Sequence, residues 1–199
     1  MPEDFIFPED PRSKLMYLTR FIIEMLCGTA IFCAIAAGHL PLQGKNIAVL
    51  EKLTRNRIIG IVFAIPALIA CIPHAQIVAP GILQSPVLLW TLALLIPVLC
   101  YFYIDYYAAR AVAGVTIILS YDLIHYAYDW KFPCAGIITV MAWISGFAAI
   151  WVSGKPCSLR DSFRLAAKNR KYAWTVTAVM VLFALTYIYS AVAGLTRIR

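Results

Sequence analysis

The chain reads as an all-α polytopic integral membrane protein, a bundle of about six transmembrane helices. Three observations predict this. Of its 199 residues, 62% are hydrophobic and only 14% charged, whereas a soluble domain carries about 25% charged residues. A surface so poor in charge cannot stay wetted, so lipid must be the solvent. Six apolar runs, 16–40, 57–79, 86–104, 107–128, 133–153 and 172–195, approach the ~20 residues needed to cross a bilayer. Aromatic residues such as Tyr17, Trp90, Tyr103, Tyr126, Tyr128 and Trp130 gather at the ends of these runs, where amphipathic rings favour the interface. The loops between runs are short, so 16–199 is expected to form one domain, preceded by an extracytoplasmic segment 1–15.

That N-terminal segment, "MPEDFIFPEDPRSK", is acidic and proline-rich. A cleavable signal needs a basic start followed at once by an apolar run, so none is expected. The net charge of +7 does not point to nucleic acid, because the basic residues are sorted by loop. Lys45, Lys52, Arg55 and Arg57 fall in 42–57, and Lys155, Arg160, Arg164, Lys168, Arg170 and Lys171 in 154–171. Both segments lie on one side of a six-span arrangement, and positive loops stay cytoplasmic. The expected setting is a bacterial inner (plasma) membrane with both termini outside.

Ionisable groups in a bilayer cost about 2.5–3.5 kcal/mol each at mid-depth, so they are the pointers to function. In the first span Arg20 and Glu24 stand one helical turn apart and are expected to form an ion pair. After it, "NIAVLEKLTRNR" reads as a short surface helix. The second span holds Pro66, Pro73 and Pro80, seven residues apart, with His74 beside the middle one. Proline removes a donor and leaves the carbonyl four residues back unbonded, here at Val62 and Ile69. A kinked second helix with His74 facing the fourth span is the reading. At the turn "YIDYYAARA", Asp105 is expected to cap the next helix or pair with Arg110.

The fourth span ends "SYDLIHYAYDW". Asp122, His125 and Asp129 recur at i, i+3 and i+7, which puts them on one helical face. Two carboxylates around an imidazole can bind a cation or relay protons. With His74 they make one candidate polar site, and they are also the only catalytic set the sequence offers. In the fifth span, Ala142 and Gly146, and Ser145, Ala149 and Ser153, recur at four-residue spacing, the pattern that lets helices approach closely in lipid.

The segment "CSLRDSFRLAAKNRKYAW" follows. Ser158 with Asp161 fits a capping box. Leu159, Phe163 and Ala166 form an apolar face, and Arg160, Arg164, Lys168 and Lys171 a basic one. Such a helix lies on the cytoplasmic leaflet and attracts anionic lipid or a partner protein. The six cysteines form no CxxC and read as small apolar side chains, so no metal site is expected. Haem needs paired histidines at one depth. His39 lies near the inner face, and only His74 and His125 come near a common depth.

Three functions are compatible with these residues. The first is a non-catalytic subunit or scaffold within a larger membrane complex, favoured by the absence of catalytic motifs and the minimal loops. The second is a small transporter or channel with a polar site in the outer half. The third is an enzyme acting on lipid or quinone.

Overall fold

In the computed structural model, residues 11–40, 45–78 and 85–198 are described. Among them are eight helices and no strand: α1 Pro11–His39, α2 Lys45–Thr54, α3 Arg57–Val78, α4 Pro86–Tyr103, α5 Tyr107–Asp129, α6 Ala135–Gly154, α7 Cys157–Lys168 and α8 Arg170–Ile198. Six of these, α1, α3, α4, α5, α6 and α8, are long and apolar enough to cross a membrane. Residues 1–10 and the turns expected at Pro41–Gly44 and Pro80–Gly81 lie outside the described residues.

The helices begin and end where local chemistry dictates. Asn56 Oδ1 accepts the backbone N–H groups of Ile58 and Ile59, at 2.9 and 3.3 Å, and opens α3. Asn169 does the same for α8 through Lys171 and Tyr172. These are the orphan donors of a first turn, satisfied by a capping side chain. The Asn169 cap corrects the expected basic stripe. It ends α7 at Lys168, so Lys171 belongs to the membrane-crossing α8 and not to the surface helix. The Ser158–Asp161 capping box is also not formed. Pro156 occupies the cap position of α7, and Asp161 turns to Arg160 instead.

At the α4–α5 turn the expectation for Asp105 fails as well. Tyr106 is the cap residue, in the left-handed region at φ 56° and ψ 38°. Asp105 is exposed, and among the described residues no ion pair joins it to Arg110. The turn is so short that the chain reverses through one αL residue, and Asp105 never reaches the first-turn amides.

α5 is the hub. Over its most apolar stretch 56% of residues are buried, against 11% for α4. It packs on α6 along one side and α3 along the other, while α1 pairs with α8 and closes the bundle against α5 and α6. The small-residue stripe of the fifth span is what admits α5: Ala142, Ser145 and Ala149 are buried, and Ser120 and Ser145 share a hydrogen bond of 2.8 Å. The α1–α8 seam uses a glycine differently. A Cβ at Gly28 would collide with the ring of Tyr187, so the fully buried Tyr187 sits directly on α1 backbone. Around this seam lie Phe21, Met25, Phe32, Leu123, Trp130 and Phe183.

The basic segments α2 and α7 meet at one end of the bundle. Phe163 and Ala166 are buried, as the apolar face predicts, while Arg164 and Lys168 point outward. Glu51 on α2 pairs with Arg164 on α7 at 2.5 Å. That guanidinium holds the Glu51 carboxyl below the usual carboxylate range.

Candidate functional site: an ionisable cluster between three spans

At the opposite end of the bundle, α1, α3 and α5 bring five polar side chains together. Arg20 Nε donates to Glu24 Oε1 at 2.6 Å. The other Glu24 oxygen accepts the Tyr126 hydroxyl at 2.8 Å. Arg20 Nη2 also stands 3.7 Å from Asp122 Oδ2, and His74 Nε2 stands 3.5 Å from Asp122 Oδ1. The Asp122 side chain is 7% exposed and that of Glu24 13%.

The sequence sets this up in steps. Arg20 and Glu24 are four residues apart and meet on one face of α1. Asp122 and Tyr126 are likewise one turn apart on α5, so both turn toward α1. His74 lies in the last part of α3, the far neighbour of α5, and reaches Asp122 from the other side. The ring of Tyr121 covers His74 edge-on, with centroids 5.0 Å apart.

The cluster is incompletely satisfied. Neither His74 Nε2 nor Asp122 Oδ2 makes a hydrogen bond, although both atoms are buried. Its charges are also unequal: one guanidinium faces two carboxylates. In a low-dielectric setting unpaired charge is costly. A proton on His74 or on a carboxylate, or a bound cation, supplies the missing positive charge.

Beside the cluster a groove of about 790 Å³ separates α1 from α3. One wall carries Met16, Arg20, Ile23 and Glu24; the other carries Pro66, Ile69 and Pro73. α3 remains helical through both prolines, and their rings lie on its exposed side. The carbonyl that Pro73 deprives of its donor belongs to Ile69, a groove residue. Thus the groove joins a lipid-facing cleft to ionisable groups.

The predicted residues divide. His74 and Asp122 meet, and Arg20 and Glu24 join them. His125 is exposed and its ring lies tilted against that of Tyr121, with centroids 4.4 Å apart, one aromatic ring removed from the cluster. Asp129 is exposed at the last residue of α5; it shares Asp122's helical face, but the bundle no longer covers that face two turns further on. His39 lies at the basic end, with Nδ1 2.8 Å from the Ile35 carbonyl and Nε2 2.8 Å from Ser162 Oγ. Both of its nitrogens are engaged, while His74 and His125 lie against the same Tyr121 ring. Among the described residues no group of three or more His, Cys, Asp or Glu is arranged to hold a metal ion.

Sequence reasoning missed Tyr126, which read as an interfacial belt residue, and gave Tyr121 no role. The signal was available for Tyr126: it stands one turn from Asp122, on the face that an intramembrane carboxylate must bury. No protein-family model, curated protein or solved structure matches the chain.

Proposed function

We propose that the chain is a small transporter or channel of a bacterial inner membrane, with its basic end cytoplasmic, and that the Arg20–Glu24–His74–Asp122–Tyr126 cluster takes up a proton or a monovalent cation. The observation that carries this reading is the charge imbalance: the buried Asp122 and the part-buried Glu24 share one arginine, and two buried polar atoms of the cluster, Asp122 Oδ2 and His74 Nε2, lack hydrogen bonds. A purely structural polar patch would be closed and balanced, because unsatisfied groups in hydrocarbon destabilise the fold. Ionisable residues retained inside a bundle mark ion and proton pathways. Broken or proline-interrupted helices beside them provide carbonyl ligands, a role open to the Ile69 carbonyl, which Pro73 leaves without its donor beside the groove.

The test is a gradient assay. The purified chain is placed in liposomes holding a proton, sodium or potassium gradient. Wild type should dissipate at least one gradient faster than protein-free vesicles, and Asp122→Asn should not. If wild-type vesicles hold all three gradients as well as empty ones, the reading fails. The orientation is tested separately: a cysteine at the exposed Asn169 should resist membrane-impermeant thiol reagents in intact cells.

A second reading, a non-catalytic subunit of a larger membrane complex, draws on α4. Of its residues only Ala93 and Pro97 are buried, which leaves most of its surface for lipid or for a neighbouring protein. Recovery of a stoichiometric partner in gentle detergent would favour it over the transporter reading.

A further inference from the structure

We infer that the basic end carries a binding site for a phosphodiester, the headgroup phosphate of an anionic lipid, built around Tyr106. This site is separate from the ionisable cluster and does not depend on the transport reading. Two guanidinium groups converge on the single Tyr106 hydroxyl: Arg55 Nη2 donates to it at 2.6 Å and Arg160 Nη1 at 2.9 Å. Arg55 also lies over the phenol ring, 4.7 Å from its centroid. The adjoining cavity, about 160 Å³, is lined by Arg55, Arg57, Ile104, Asp105 and Tyr106.

Like charges gathered on one neutral oxygen repel each other, and the arrangement calls for an anion. Arg160 has a partner in Asp161 at 3.0 Å. Among the described residues Arg55 and Arg57 have no carboxylate in ion-pair contact. Arg57 instead rests over the Tyr101 ring, 5.6 Å from its centroid. A phenol that accepts from two guanidiniums keeps its own O–H free to donate. Arginine presents a fork of donors suited to phosphate oxygens. The Tyr106 backbone sits in the left-handed region, which is unfavourable for a non-glycine residue. Such strain is commonly held where a side chain must be aimed at a ligand, and here it aims the phenol at both arginines.

Two features choose the ligand. The cavity lies where α4 ends and α3 begins, the level at which lipid phosphates meet a spanning helix. Asp105 on its wall disfavours a free dianion. It suits a singly charged phosphodiester whose head group bears hydroxyls, which can donate to that carboxylate.

The experiment uses the full chain in nanodiscs of mixed phosphatidylglycerol and phosphatidylcholine, followed by native mass spectrometry of retained lipid. Wild type should retain phosphatidylglycerol in preference to phosphatidylcholine. Tyr106→Phe, which keeps the ring but removes the hydroxyl, should weaken that retention about tenfold. Arg55→Gln with Arg160→Gln should abolish it. Arg164→Gln with Lys168→Gln, on the same surface helix but away from the cavity, should leave it within about twofold. Displacement by millimolar inorganic phosphate would keep the phosphate site but make soluble phosphate its ligand. Equal retention of the two lipids, with no effect of inorganic phosphate on thermal unfolding, would overturn the proposal. So would equal losses in Tyr106→Phe and in the Arg164/Lys168 variant, because binding would then belong to the basic surface at large. Should the double arginine variant fail to fold, Tyr106→Phe decides alone.

Discussion

His39 and His74 are both imidazoles at the ends of membrane-crossing helices, and the protein treats them in opposite ways. His39 is 1% exposed, has both nitrogens bonded and rests its ring 4.6 Å from that of Phe163. Through Ser162, which also meets the Tyr172 hydroxyl at 2.9 Å, it ties α1, α7 and α8 together. His74 has a buried nitrogen with no hydrogen bond, an ion-pair contact to a carboxylate at 3.5 Å, and an open groove alongside. A closed network rigidifies; an open one retains capacity to take a proton or an ion.

The largest expected effect follows from the closed end. His39→Ala removes two hydrogen bonds and a buried ring, and should cost about 3 kcal/mol or more in thermal unfolding in detergent. His74→Ala should cost no more than about 1 kcal/mol, since it breaks no hydrogen bond. Equal losses at the two sites would erase the distinction.

The same contrast runs along the two faces of α1. Gly28→Ala drives a methyl into the Tyr187 ring and should cost about 1–3 kcal/mol. Ile23→Trp on the groove side has room, and should leave unfolding within about 0.5 kcal/mol while slowing dissipation of the gradient. A large destabilisation by Ile23→Trp would mean the groove is not open. Asp122→Asn sharpens the comparison further. It removes a charge that the cluster does not balance, so stability should stay within about 1 kcal/mol of wild type or rise even as transport is lost.

The smallest effect belongs to the surface, at Glu51. Its folded carboxyl titrates below the ordinary range because of Arg164. Its contribution is therefore present above the ordinary carboxylate pKa of about 4.3 and is lost as pH falls through the lower folded value. Glu51→Gln should speed amide exchange in α2 slightly at neutral pH, and the difference from wild type should shrink as pH falls below the ordinary carboxylate pKa and vanish once it is below the lowered folded value. A difference that persists in acid would show that the pair is not what holds α2 to α7.

The linear pattern already carried the spans. Each expected run matches a helix end to within about two residues, except at α1, which begins at Pro11 rather than near 16, and at α8, which ends at Ile198 rather than at 195. It also placed His74 toward the fourth span. It failed where one residue's local bond decides an outcome. Asn169 splits the basic stripe because its side chain, not the charge pattern, satisfies the next helix. Tyr106, not Asp105, opens α5 because a one-residue reversal needs αL geometry more than it needs a carboxylate.

What the sequence determined by itself is the number of crossings, their ends and the gathering of basic charge at one side. These follow from sums over residues against a fixed bilayer thickness, and need no knowledge of neighbours. Only the tertiary structure decided which crossings touch. In lipid all apolar faces are nearly equivalent, so pairing is chosen by steric fit and by the few polar groups that must meet. Thus Ser145 finds Ser120 on α5, Tyr187 settles on Gly28, and Arg20, from a pair that looked self-sufficient, reaches Asp122 more than a hundred positions along the chain.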